Sequence, residues 1–229
     1  MARSYGDNLF ERLLLLPLFQ GIGRSEFMEI AGRIRMGFQR VPRGTVIAEQ
    51  DAPCDALYFV LGGEIEARKI SDNRHYTLLE WFTQPTVIQL DSLFGMRTRY
   101  SRTYTATTTL QLLQVDKAAV RDILFYYPTF RINYLNMLST QVQQAHQALG
   151  KAYPQALQAR FVAFLQERCL RPAGKKELRI KMEDLAEELL VSRLKASTLL
   201  NEMSQKQMLE LHRGRIVVPM LEHLIQTYR

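Results

Sequence analysis

From Pro128 to Tyr153 the sequence specifies one long helix with a single narrow apolar edge, and few architectures accommodate such an element. Leu135, Leu138, Val142, Ala145 and Leu149 recur at alternating steps of three and four, the spacing of a coiled-coil seam. Pro128 suits a first helical turn, where no backbone donor is needed, and Pro154 ends the run because its ring disfavours a helical residue before it. Roughly 25 residues rising about 1.5 Å each make a rod of roughly 37 Å. Gln141, Gln143, Gln144 and Gln147 crowd the seam, which is narrower than the face an ordinary core helix buries. The pattern favours a second copy of the same helix over packing within one domain.

A large segment precedes this helix and a small one follows it. At 229 residues, with 47% hydrophobic and 23% charged residues, the chain is globular and long enough for two cores. No apolar run reaches the roughly 18 residues of a membrane span. Leu13 to Phe19 comes nearest and is interrupted by Pro17. Arg3, Asp7, Glu11 and Arg12 do not follow the basic-then-apolar order of a signal peptide, so a cytoplasmic protein with no membrane partner is expected. Cys54 and Cys169 are too few and too far apart for a disulfide framework, a zinc ribbon or an iron–sulfur cluster. The net charge of +7 fits a polyanionic partner, nucleic acid or an anionic surface. Arg168, Arg171, Lys175, Lys176, Arg179 and Lys181 open the last third, and Arg213 and Arg215 return near its end.

Residues 7 to 33 read as two short helices, Asn8 to Leu16 and Glu26 to Arg33, the second capped by Ser25. From Phe38 the period changes to two. Val46-Ile47, Ala56 to Leu61, Glu64 to Lys69, Tyr76 to Trp81, Thr103 to Ala106 and Gln111 to Val115 are strands, with turns at Gly44, Gly62-Gly63 and Asp72-Asn73. Short strands at this spacing make a barrel or roll. Asp116 is placed to cap a helix from Lys117 to Phe125, and Leu157 to Arg168 reads as an amphipathic helix beyond the bend at Lys151 to Pro154.

The run from Leu18-Phe19 through Pro42-Arg43-Gly44 to Leu57-Tyr58-Phe59-Val60-Leu61-Gly62-Gly63-Glu64-Ile65 resembles the cyclic-nucleotide-binding β-roll of the CRP/FNR transcription factors. Those proteins follow the roll with a dimer helix and a winged helix-turn-helix, and the same order of parts covers nearly all of this chain. The resemblance implies an α+β fold. It comprises a double-stranded β-helix or jelly-roll effector domain over 1–127, a dimerisation helix and hinge over 128–153, and a winged helix-turn-helix DNA-binding domain over 154–229. The protein it implies is a homodimeric regulator of double-stranded DNA that meets RNA polymerase where its operator's position allows.

Met182 to Leu190 and Arg193 to Gln205 form a helix pair separated by Val191 and the cap-like Ser192. Leu185, Ala186 and Leu189 face Ala196, Leu199, Leu200 and Met203, leaving Arg193, Ser197 and Asn201 outward with Lys195 and Thr198 beside them. Arginine can donate two bonds to guanine, asparagine can donate to and accept from adenine, and serine or threonine can do either. A hairpin wing over Leu209 to Val218 carries phosphate-binding Arg213 and Arg215 at its tip. By resemblance, Ser192-Arg193 begins the recognition helix. Leu194 stands where some relatives carry a base-reading Glu, and Leu190 where a turn glycine is frequent.

Relatives that bind cyclic AMP hold its phosphate and ribose with a Gly-Glu pair and an Arg-Ser pair. A gapless match places Gln89-Leu90, after Ile88, at the first, and Tyr100-Ser101 at the second. Only Ser101 survives; Arg99 and Arg102 are one residue out of register, which turns a strand side chain to the other face. Ala145-His146 stands where relatives present hydroxyls to the adenine. A pocket of Ile88, Gln89, Leu90, Tyr100, Ser101 and His146 is therefore expected to have diverged from cyclic AMP. Haem on His146 is a disfavoured alternative, since a lone helical histidine is more often a surface residue. No paired carboxylates, Ser-His-Asp order, P-loop or metal spacing suggests an enzyme. The remaining alternative is a sensor roll acting through protein partners, which predicts no salt-sensitive duplex binding.

Overall fold

The computed structural model describes residues 10–34, 37–150 and 152–228. The chain divides into two compact units, Met1–Ile65 with Phe82–Leu149, and Glu66–Trp81 with Gly150–Arg229.

In the first unit, helical residues 10–14 (α1) lead through a 3-10 turn, Pro17–Phe19, into α2, Arg24–Arg33. The helix read from Asn8 starts outside the described residues. Gly23, not Ser25, is the N-cap of α2, so no side chain caps it. The roll contains β1 (Gly37–Val41), β2 (Val46–Ala48), β3 (Ala56–Gly62), β6 (Thr86–Ile88), β7 (Thr103–Ala106) and β8 (Leu110–Asp116). One antiparallel sheet runs β1-β8-β3-β6, while β2 pairs with β7. The short β6 was not read from the sequence; it pairs Ile88 with Tyr58 and so places Gln89 at the end of a strand. Strand β3, flanked by β8 and β6, is buried almost throughout, and the ring of its Phe59 lies 5.4 Å from that of Phe19.

Gly63 follows β3 with φ of +94°. A Cβ there would stand 2.5 Å from the Thr109 carbonyl oxygen, so this turn admits no side chain. The roll closes through α3, which is shorter than expected: Lys117–Asp122, then a 3-10 turn, Leu124–Tyr126. Asp116 sits at the N-cap without a side-chain capping bond. Helix α4 spans Pro128–Leu149. Its first two turns anchor it to the roll: Phe130 and Tyr134 are buried, the Phe130 ring lies 5.5 Å from that of Phe19, and Asn133 Nδ2 donates to the carbonyls of Leu18 and Gln20. Beyond Tyr134 the helix has no fully buried residue.

The second unit joins a hairpin to the C-terminal residues. The hairpin is β4 (Ile65–Ile70, all but its first residue in this unit) and β5 (Tyr76–Phe82, through Trp81). The C-terminal elements are α5 (Leu157–Arg168), β9 (Lys176–Ile180), α6 (Met182–Glu188), α7 (Arg193–Gln205), β10 (Glu210–His212), β11 (Arg215–Val218) and α8 (Leu221–Thr227). The strands run β10-β11-β9-β5-β4. Neither β9 nor α8 was read from the sequence. Strand β9 pairs antiparallel with β5 on one side and β11 on the other, so Leu78, Leu178 and Ile216 line up across three strands. That row enters one core with Phe161, Leu165, Leu185, Leu199, Leu200 and Leu224. Directly opposite each other on β5 and β9, Glu80 and Lys176 are 0% and 1% exposed, with Lys176 Nζ 3.1 Å from the Glu80 carboxylate. That carboxylate also accepts from the Leu170 and Arg171 amides, and Lys176 Nζ donates to the Ala173 carbonyl. An ion pair this dry is held only because both groups have these further partners.

Candidate nucleic-acid interface and effector site

The turn between the two helices is built by capping on both of its sides. Helix α6 ends with Val191 N–H donating to the Ala186 carbonyl, a geometry that requires the intervening Leu190 to turn left-handed; its φ is +54°. Leu190 thus takes the backbone conformation of the glycine it stands for. Ser192 then caps α7, its Oγ accepting from the Lys195 amide at 3.3 Å.

Ala196, Leu199, Leu200 and Met203 bury one side of α7, as the spacing predicts. Arg193, Lys195, Thr198 and Asn201 are exposed, whereas Ser197 is half-buried at the margin. The centre of the outward face runs through Leu194, Thr198, Asn201 and Gln205. Leu194 and Gln205 lie outside the expected set of readers; the signal for both is their position opposite the buried stripe. Arg193 Nε lies 3.0 Å from Glu183 of α6, with both groups exposed. In the wing, β10 and β11 pair through a turn at Arg213-Gly214, where Gly214 has φ of +68°. Arg213 is exposed, while Arg215 is half-buried with its guanidinium 3.7 Å from Glu177.

The basic run before the helix pair is largely consumed within the unit. Lys176 is paired with Glu80, Arg168 with Glu188 at 2.9 Å and Arg179 with Glu177 at 2.8 Å, and Lys175 lies over the Trp81 ring. Burial pushes the Arg171 guanidinium below its usual range, partly offset by Glu80. This cluster therefore stabilises the unit and contributes less positive surface than its sequence suggests.

On α4, the seam residues Leu135, Val142, Ala145 and Leu149 are exposed and Leu138 is half-buried. Ile132 adds another exposed apolar side chain. Lys151, in the expected bend, lies outside the described residues.

In the roll, Ile88, Gln89, Leu90 and Tyr100 are buried. Gln89 is left-handed, with φ of +45°, and its side-chain oxygen accepts from the Ser101 amide at 2.8 Å while its nitrogen donates to Ser92 Oγ. Tyr100 turns its hydroxyl to the Ala56 carbonyl, and burial raises its phenol well above the usual range. The Leu90 carbonyl accepts from the hydroxyl of Tyr134 on α4, a phenol also raised by burial. Gln89 and Ser101 thus meet directly. His146 stands apart on exposed α4, without a hydrogen bond to the other five among the described residues. Arg99 Nη1 donates to the Asp51 carbonyl, and Arg102 is buried.

Residues 38–127 match the family model of the cyclic nucleotide-binding domain. That match covers the roll and not the rest of the chain. The chain is 21% identical over 211 residues to the global nitrogen regulator of Synechococcus elongatus, spanning 89% of this chain and 92% of the regulator. Among solved structures it is similar to the catabolite activator protein of Thermus thermophilus, with a TM-score of 0.52 and 20% identity over 92% of this chain and 97% of the other. It is also similar to a transcriptional regulator of the CRP/FNR family from Eubacterium rectale, with a TM-score of 0.55 and 17% identity over 94% and 99% of the two chains. Among the described residues, no helix is long and apolar enough to cross a membrane.

Proposed function

We propose that this protein is a cytoplasmic transcriptional regulator that binds a palindromic operator as a homodimer and answers to an effector other than cyclic AMP. In this reading 1–127 senses, 128–153 joins two copies and couples them, and 154–229 reads DNA. The observation that carries the reading is the outward face of α7, which presents Arg193, Lys195, Thr198 and Asn201 from a capped, solvent-facing N-terminus in the same unit as the exposed Arg213 of the wing. Side chains there can reach base edges while the first amides of α7 and the wing hold phosphates. Pairing along the exposed α4 seam would set two such helices about 34 Å apart, one turn of duplex. RNA polymerase contact then depends on operator position.

Non-cyclic-AMP control is supported by the roll. The Ser101 amide, the surviving donor for a phosphate, already has Gln89 as its acceptor, and no Arg or Glu stands at the paired positions. Calorimetric titration with cyclic AMP is expected to give no heat of binding, and micromolar binding would overturn this part. DNA reading is tested by binding-site selection followed by footprinting. Arg193→Ala is expected to lose about 1–3 kcal/mol at one base pair per half-site. Affinity that is indifferent to both sequence and salt would sink the proposal.

A further inference from the structure

Leu194 is the one apolar side chain of α7 that is not buried; it is 76% exposed in the first turn. Packing does not explain it. It borders a shallow cavity of about 260 Å³ with Leu157 and Leu199, yet most of its surface remains in water. Nor does backbone geometry explain it, as it does for the exposed, left-handed Leu190 in the preceding turn. An isolated surface leucine is ordinary, but this one holds a particular place. It lies opposite the Ala196, Leu199, Leu200 and Met203 stripe, one helical turn before Thr198 and two before Asn201, with Arg193 and Lys195 on either side. In the proposed docking, a side chain at that position faces the floor of the groove. Leucine has no donor or acceptor, so facing the hydrogen-bonding edge of guanine, adenine or cytosine it would leave those groups dry and unpaired. The one apolar feature a major groove offers is the 5-methyl group of thymine.

We infer that Leu194 is a specificity-determining residue that packs against a thymine methyl in each half-site. The inference rests on the DNA-reading proposal and adds which base chemistry the centre of the recognition face selects. It places a thymine within one or two base pairs of the contact made by Arg193, its chain neighbour.

The test uses the full-length protein. Binding-site selection gives the preferred duplex, and each thymine of a half-site is then replaced singly by deoxyuridine, which removes the methyl and leaves every hydrogen-bonding group in place. At one position the unsubstituted protein should bind about fourfold more weakly, the worth of one buried methyl. Leu194→Ala, checked for folding by circular dichroism, should bind the parent duplex more weakly and respond less than twofold to the same replacement. Should no thymine in the selected site respond, or should Leu194→Ala retain the full response, the inference falls while DNA reading stands. If selection enriches no sequence at all, it is the DNA-reading proposal that falls.

Discussion

Single side chains set the geometry of both turns on which the two units depend. Gly63 is the stricter case, since a methyl group there meets a backbone oxygen that cannot swing away. Gly63→Ala combines that clash with a left-handed backbone and should cost about 3 kcal/mol of stability, read by denaturant unfolding. Leu190 is the reverse, a branched residue held at φ of +54° with its side chain in water. Leu190→Gly removes the left-handed penalty and an exposed apolar group, and pays with a more flexible unfolded chain. A small net gain of about 0.5 kcal/mol is expected, seen as a slightly higher Tm with sequence-specific DNA binding retained. The turn at Gly62-Gly63 was legible from turn chemistry. The left-handed leucine was not, because the need for that conformation comes from the Val191 amide reaching back to Ala186.

At the scale of elements, the pair β5 and β9 carries the most information. Strand β9 escaped the sequence reading because Lys176-Glu177 and Arg179 make it look like a solvated basic stretch; only Glu80, distant in sequence, makes Lys176 an interior residue. Local periodicity cannot see a counter-charge on another strand. The helices α5 and α7 and the wing hairpin were legible because their apolar spacing and the turn at Gly214 are local. Glu80→Gln leaves the Lys176 ammonium dry and uncompensated and should cost about 3 kcal/mol. Adding Lys176→Met should recover part of that loss. A double-mutant cycle in thermal unfolding that shows strict additivity would mean the two groups do not stabilise one another.

For the whole molecule, the question is what covers the apolar edge of α4 beyond Tyr134. The spacing of the seam was readable in the sequence, and in a single chain its residues are exposed or half-buried. Leu135→Glu with Val142→Glu places like charges on facing helices and should convert the proposed dimer to monomers in sedimentation velocity, weakening operator binding by 100-fold or more, roughly the loss expected when one of two linked half-sites no longer engages. A dimer that survives this pair of changes would locate the interface elsewhere. The candidate effector pocket was less legible: register singled out Gln89 and Ser101, but their mutual hydrogen bond depends on the left-handed turn at Gln89, which no pattern announces.

Because Glu66–Trp81 belongs to the same compact unit as Gly150–Arg229, the unit proposed to read DNA is not one continuous piece of chain. A chimera that transplants only residues 154–229 onto a relative's roll would leave Lys176 facing a foreign strand and Leu178 without Leu78. Exchange of specificity between such proteins would have to carry the hairpin along, so recombination at the helix boundary should yield insoluble hybrids where a two-segment graft yields folded ones.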